Sequence, residues 1–431
     1  MRIDSGQQAY GELMQALREA PVRDLAWLLL SADLLSAARF PAALAHFDGV
    51  HAAAETSPPS GPSSRPSSGP SSRPTSPPLP SPSSPAPQAP GTSPPGDFDP
   101  GPDPGSAPDP IFHSRDLHDW LLACDADSRP LREFLARGES HRLGRYAEQL
   151  LHYALLHSPR FELLAAGLQV RDARRGNMTL GECDFLLERR ADGRLLHWEL
   201  AVKLYLFVPP AASAPLDERA VQFHWLGPNL ADSFADKVAR LLGHQLRLTT
   251  LDAARSALPA AGPWLPQVYL KGWLFHPLTQ PVQLPQAASE THGRGWWATL
   301  DEWWAHAQSA APAGASSPAR AWAMLPRARW LAPARVAASR ACSLVEMHER
   351  IEAHWRERGV AEPLLVVSLA RREGVEKPGA ADDWFECERG FIVPDFWAPR
   401  ARHRIEELSE RAEAAAQRAL ARTAEDSAPS I

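Results

Sequence analysis

The sequence predicts an α/β chain, a helical N-terminal region leading into a core where helices and strands alternate. Three observations carry this. GRYAEQLLHYALLHS sets Tyr146, Leu150, Tyr153, Ala154 and Leu156 at helical spacing. LGECDFLLERR and LLHWELAVKLYLFV read as two strand-like runs joined by Ala191-Asp192-Gly193-Arg194. Asp-Gly between such runs is the strongest short-range hairpin signal. SFADKVARLLGHQLRLTT reads as an amphipathic helix and VYLKGWLF as a further strand-like run.

In chain order, GELMQALREAPVRDLAWLLLSADLL reads as a helix, a proline break and a second helix. Residues 56–110 are nearly all Pro, Ser, Gly and Ala. Such a segment cannot bury enough apolar area to offset its chain entropy, which predicts a long disordered insertion. RDLHDWLLACDADSRPLREFLARG beyond it is again helical in pattern, so the insertion interrupts one helical region. The divisions are therefore 1–55 helical, 56–110 insertion, 111–143 helical, 144–280 core and 281–431 a Trp-rich region. Pro159 follows the end of the core's first helix, and FELLAAGLQVRD reads as a short strand. At the far end, RHRIEELSERAEAAAQRALART reads as a polar helical tail.

The hairpin carries the candidate chemistry. Period-two alternation sets Glu182 and Asp184 apart from Cys183, Phe185 and Leu187. With a two-residue Asp192-Gly193 turn, Asp184 lies opposite Ala201, Glu182 opposite Lys203 and Leu186 opposite Glu199. Glu182, Asp184, Glu199 and Lys203 then share one face. Acidic groups are disfavoured in strand centres. Three carboxylates and an ammonium there suit a hard divalent cation, with the lysine stabilising developing negative charge. The alternative is a solvated face with a Glu182–Lys203 pair contributing about 0–1 kcal/mol. Lys237, Arg240 and Gln245 fall near one face of the next helix, as phosphate contacts or as surface residues.

Composition narrows the classes. A net charge of −6 argues against a simple DNA-coating protein but allows a local basic groove. Lysine occurs only at Lys203, Lys237, Lys271 and Lys377 in an arginine-rich chain. A retained lysine hints at a position needing one compact ammonium. Cys124, Cys183, Cys342 and Cys387 form no CxxC pair and read as reduced, mostly buried thiols of a cytoplasmic protein. The N-terminus lacks the pattern of a secretory signal, and LAWLLL is far too short to span a bilayer, so no membrane association is expected. The histidines, His197 among them, make no metal pair of convincing spacing. Trp296–Trp297 and Trp303–Trp304 read as core or interface rather than base-stacking platforms.

Taken together, the GRYAE helix, a strand, GECDFLL and a strand ending in lysine resemble the PD-(D/E)XK nuclease superfamily. The likeness is strongest to small bacterial members with a G-R-x-x-E helix, a G-E-x-D strand and a strand ending E-x-K. It covers residues 144–250. It implies a restriction-endonuclease-like mixed sheet flanked by helices, Mg²⁺ or Mn²⁺ as cofactor, DNA as partner and phosphodiester hydrolysis. Residue by residue, Glu148 matches the first-helix acid, Asp184 the metal-binding aspartate, Lys203 the lysine and Glu182 the extra acid. Here the chain departs from the pattern. Two residues before Lys203 stands Ala201, and the acid, Glu199, is four before. A bulge joining Glu199 to Lys203, Glu182 supplying the missing ligand, and a degenerate site each account for that spacing. The last would leave a catalytically inactive protein binding nucleic acid or a protein partner. The whole chain also resembles a proteobacterial family of unknown function.

Overall fold

In the computed structural model the described residues are 5–40, 44–45, 47, 114–138, 142–210, 216–309, 320–359, 361–371 and 383–426. The expected insertion at 56–110 lies outside them. All fall in the unit formed by Met1–Val50 and Pro110–Ile431.

The chain enters through α1 (Ser5–Ala16), α2 (Ala20–Leu30), α3 (Ser114–Ala126), α4 (Arg129–Ala136) and α5 (Leu143–Leu156). Then follow β1 (Phe161–Asp172), β2 (Met178–Arg189), β3 (Arg194–Phe207), α6 (Glu218–Val221), β4 (Trp225–Leu226), α7 (Phe234–Gly243) and β5 (Trp264–Pro277). The last part comprises β6 (Gly293–Thr299), α8 (Leu300–Ser309), β7 (Arg320–Leu325), β8 (Arg335–Ala337), α9 (Leu344–Arg358), β9 (Leu364–Ala370), β10 (Asp383–Val393) and α10 (Trp397–Asp426).

The strands form one ten-stranded mixed sheet in the order β1-β2-β3-β5-β6-β10-β9-β7, with β4 on β3 and β8 on β10. β1, β2 and β3 are antiparallel neighbours, β3, β5, β6 and β10 run parallel, and β9 and β7 are antiparallel again. The boundary expected at residue 280 thus falls inside a continuous sheet, between β5 and β6.

Period two in β3 sorts its residues between layers. Trp198, Leu200 and Val202 pack with α2 and α5, around Leu25, Leu28, Leu150 and Leu151. Ala201, Tyr205 and Phe207 pack on the other side against Phe234, Val238 and Leu241 of α7. Ser233 caps α7 by accepting from the Asp236 N–H. Trp297 and Trp303 are buried in hydrophobic clusters, in keeping with a core role. Among the described residues, no helix is long and apolar enough to cross a membrane.

The hairpin forms where expected, but its register differs. Arg189 pairs with Arg194 and Phe185 with Trp198. The loop therefore holds four residues, 190–193, and closes with the Gly193 N–H donating to the Arg189 carbonyl at 2.8 Å. Gly193 has φ +67°, a left-handed conformation that glycine adopts without penalty. Arg189 also grips the Asp192 carboxylate at 2.8 Å, fixing this wider loop. Asp184 is thereby level with Glu199, not with Ala201. A two-residue shift preserves sidedness, whereas a one-residue slip would invert it.

Candidate active site

The β2–β3 ladder ends at Phe185–Trp198. Past that point the Leu200 N–H donates not to a β2 carbonyl but to the Asp184 carboxylate, at 2.8 Å. Side-chain alternation in β2 slips at the same residue. Cys183 and Leu186, three apart, pack in one cluster with Val170 and Leu248, while Phe185 and Leu187 pack with α5. Opposite this position in β1, Gly167 takes a φ of +64°. Asp184 thus sits where two strands part.

Three carboxylates gather around this opening. Glu199 is fully buried; one oxygen meets His197 Nε2 at 2.8 Å and the other accepts from Gln245 Nε2 at 2.6 Å. Glu148 on α5 is bound by Arg145 at 2.7 Å. Burial, reinforced by the negative charges of Glu199 and Glu148, pushes the Asp184 carboxyl up to about 8, against the opposing Leu200 N–H and Lys237. Burial also raises Glu148, with Glu182 and Glu199 adding to the effect and Arg145 opposing it.

Besides Arg145, Lys237 is tied into this group, through Gln245. Its Nζ donates to Gln245 Oε1 at 3.1 Å, and Gln245 in turn donates to Glu199. Burial lowers the Lys237 ammonium pKa, as does the nearby positive charge of Lys203, against the pull of Asp184 and Glu199. Gln245 reaches Glu199 because α7 stops at Gly243 and a 3-10 stretch, Gln245–Thr250, turns back towards the sheet. The single continuous helix expected over this segment therefore does not form. His244, with φ −131° and ψ −62°, breaks the helical run. Arg240 is exposed on α7.

One expected pairing is replaced by two others. Lys203 forms its ion pair with Asp232 at 2.5 Å, and Glu182 meets Arg145 at 3.2 Å, so no Glu182–Lys203 pair exists. The bulge that would join Glu199 to Lys203 is also absent. β3 pairs with β5 without interruption from Leu195–Trp264 to Leu206–Phe275, which keeps the two residues roughly 13 Å apart along the strand. Sequence reading passed over His197 and Arg145. The His-x-Glu spacing on one strand face was the available signal for His197. Nothing local marks Arg145 as the partner of both Glu148 and Glu182.

The donor set for a cation is all oxygen. Among the described residues no group of three or more His, Cys, Asp or Glu side chains is arranged to hold a metal ion. Asp184 and Glu199 remain as a pair of adjacent carboxylates whose mutual repulsion is not offset by a directly bonded cation. Mg²⁺ is the hard cation that keeps several waters and commonly takes one or two protein carboxylates alongside substrate phosphate oxygens.

No curated protein and no solved structure matches the chain. Residues 75–393 match the family described as Domain of unknown function (DUF1853), and the chain belongs to that family.

Proposed function

We propose that the protein is a metal-dependent phosphodiesterase acting on DNA, with a restriction-endonuclease-like core and its site at the opening between β2 and β3. One observation carries the reading: Asp184, held by the Leu200 N–H and pushed up to about 8, stands beside buried Glu199, which is linked through Gln245 to Lys237. Like-charged carboxylates gathered in a partly desolvated opening are costly, and functional sites are where such arrangements concentrate.

Asp184 and Glu199 would hold the divalent cation. When bound, it would neutralise phosphate charge and lower the pKa of a coordinated water. The Leu200 N–H fixes the Asp184 carboxylate, and His197 and Gln245 fix both oxygens of Glu199, so neither acid reorganises when substrate arrives. Lys237 supplies the compact ammonium that stabilises charge developing on the phosphoryl oxygens, taking the part the sequence resemblance gave to Lys203. Lys203, joined to Asp232, stands as a further positive charge near Lys237. Glu148, steadied by Arg145, lies at the edge of the same opening and can orient a water. Arg240 is free to meet a phosphate from solvent.

The test is cleavage of labelled single-stranded, double-stranded and branched DNA with Mg²⁺ or Mn²⁺. Asp184→Asn and Lys237→Met are each expected to lose on the order of 100-fold or more in rate, as for removal of one oriented charge-stabilising group. Either cation should also raise the melting temperature of the wild type by mass action, and Asp184→Asn should lose most of that rise.

A second reading is favoured by Arg145, which engages Glu148 and Glu182 together. It is a catalytically silent protein using the same opening to bind nucleic acid or a protein partner. Absence of wild-type cleavage on all three substrates with both cations would select it.

A further inference from the structure

A cavity of about 370 Å³ lies between the start of α2, the end of β7 and β8, apart from the carboxylate opening. Five arginines line it: Arg18, Arg23, Arg329, Arg335 and Arg340. Its two acidic lining residues are already engaged. Asp383 is gripped by Arg335 at 2.7 and 2.8 Å. Asp24 accepts from the Tyr146 hydroxyl at 2.9 Å and from the Ala332 N–H at 3.1 Å. Nearby Asp125 is taken up by the N–H groups of Arg18 and Glu19, at 2.9 and 2.7 Å.

The positive charge of the cavity is therefore in excess. Arg23 is only 5% exposed and donates to the carbonyls of Met14, Leu17 and Pro333. Among the described residues neither Arg23 nor the exposed Arg18, Arg329 and Arg340 forms an ion pair with a carboxylate. Arginine is abundant in this chain, and scattered surface guanidinium groups would need no explanation. Here five arginines line one concavity instead, and the same lining includes the buried apolar Leu325 and Val336. Guanidinium groups present planar donor forks that match phosphate oxygens. The volume falls within the range of small-molecule sites and exceeds what one inorganic ion fills.

We propose that this cavity binds a small phosphorylated organic ligand, with Arg329 and Arg340 gripping its phosphate groups at the mouth and the apolar lining receiving its organic part. Tyr146 connects the cavity wall to α5, the helix that carries Glu148. The two sites thus lie on different sides of one helix. The proposal does not depend on nuclease chemistry.

The experiment is thermal unfolding and titration calorimetry of the full chain with ADP and with sodium pyrophosphate, in EDTA, against sodium chloride at matched ionic strength. ADP is expected to raise the melting temperature by several degrees at saturation, and pyrophosphate to bind more weakly. The R329A/R340A double variant should lose most of the rise while keeping its unliganded melting temperature. Asp184→Asn should retain the full rise. If the double variant does not fold, single Arg340→Ala measured by calorimetry carries the same test, with a loss of at least tenfold in affinity expected. The proposal is overturned if neither phosphate binds, if sodium chloride reproduces the shift, or if the arginine variants bind as well as wild type. It is also overturned if a DNA duplex protects the protein through these arginines and the small phosphates do not.

Discussion

Two parts of the interior handle buried charge in opposite ways. On β10, Arg389 is 1% exposed, and each of its N–H donors is used. It donates to Glu386 at 2.6 and 3.0 Å and to the carbonyls of Trp330, Leu331 and Ala332 at 2.9, 3.3 and 2.7 Å. Its guanidinium also lies 3.8 Å from the Trp273 ring centre. At the β2–β3 opening, by contrast, Asp184, Glu199 and Glu148 repel one another, and the nearest ammonium, Lys237, reaches Glu199 only through Gln245. Both regions remove charge from water. The first replaces the lost solvation with an ion pair and a full set of acceptors, whereas in the second Asp184 and Glu199 have hydrogen-bond partners but no lysine or arginine bonded directly to them, and only Glu148 has its ion pair, with Arg145. A fully satisfied network fixes a fold, whereas an unsatisfied one costs stability and is retained where a ligand completes it.

The sharpest way to break this contrast is to remove one partner from the satisfied side. Arg389→Ala leaves Glu386 buried without its cation and three carbonyls without donors. Urea unfolding should show a loss of about 3–5 kcal/mol. A loss below 1 kcal/mol would mean that the Arg389 network is not a scaffold element.

The opposite sign is expected at the opening. Asp184 titrates at about 8 in the folded chain, against an ordinary value of 3.8. Between those values the native state holds a proton that the unfolded state has released, so this group makes stability fall as pH rises from 4 to 8. Asp184→Asn removes the charge and keeps an oxygen for the Leu200 N–H. Discounted for partial exposure, the variant should be more stable than wild type at pH 8 by about 2 kcal/mol. The gain should disappear near pH 4. Unfolding curves of the two proteins across this range give the measurement, and a variant less stable at pH 8 would contradict the frustrated site. A gain in stability accompanied by loss of cleavage is the trade-off a functional site should show.

The smallest effect is expected at Lys203. Its pair with Asp232 is partly open to solvent, with side chains 30% and 37% exposed. Such pairs contribute about 0–1 kcal/mol, so Lys203→Arg should change stability by less than that and cleavage far less than Lys237→Met does. Comparing the two variants in one cleavage assay decides which ammonium serves the site. Equal losses would return Lys203 to the role that its place at the end of β3 first suggested.

Much of the candidate site was legible locally. Glu182, Asp184, Glu199 and Lys203 stood out because acids and a scarce lysine sat in strand patterns. The Asp-Gly signal correctly located the hairpin. Its loop length was not legible, because Arg189 and Asp192 close a four-residue loop through a side-chain contact that turn preferences do not encode. Lys237 and Gln245 were visible as candidates on a helical face. Their link to Glu199 depends on the helix ending at Gly243.

The sequence by itself determined the α/β class, β1, β2, β3 and β5, the helix before them and the placing of acids in the hairpin. These follow from local periodicity and turn chemistry, which act over a few residues. Tertiary structure alone decided where β2 and β3 part, that Glu199 meets His197 and Gln245, that Lys203 faces Asp232, and that one sheet continues through β6, β10, β9 and β7. It also brought Arg18 and Arg23 to one cavity with Arg329, Arg335 and Arg340, across some 300 residues of chain. Those outcomes depend on which layers bury which faces. Burial is a property of the assembled core, so no window of sequence contains it.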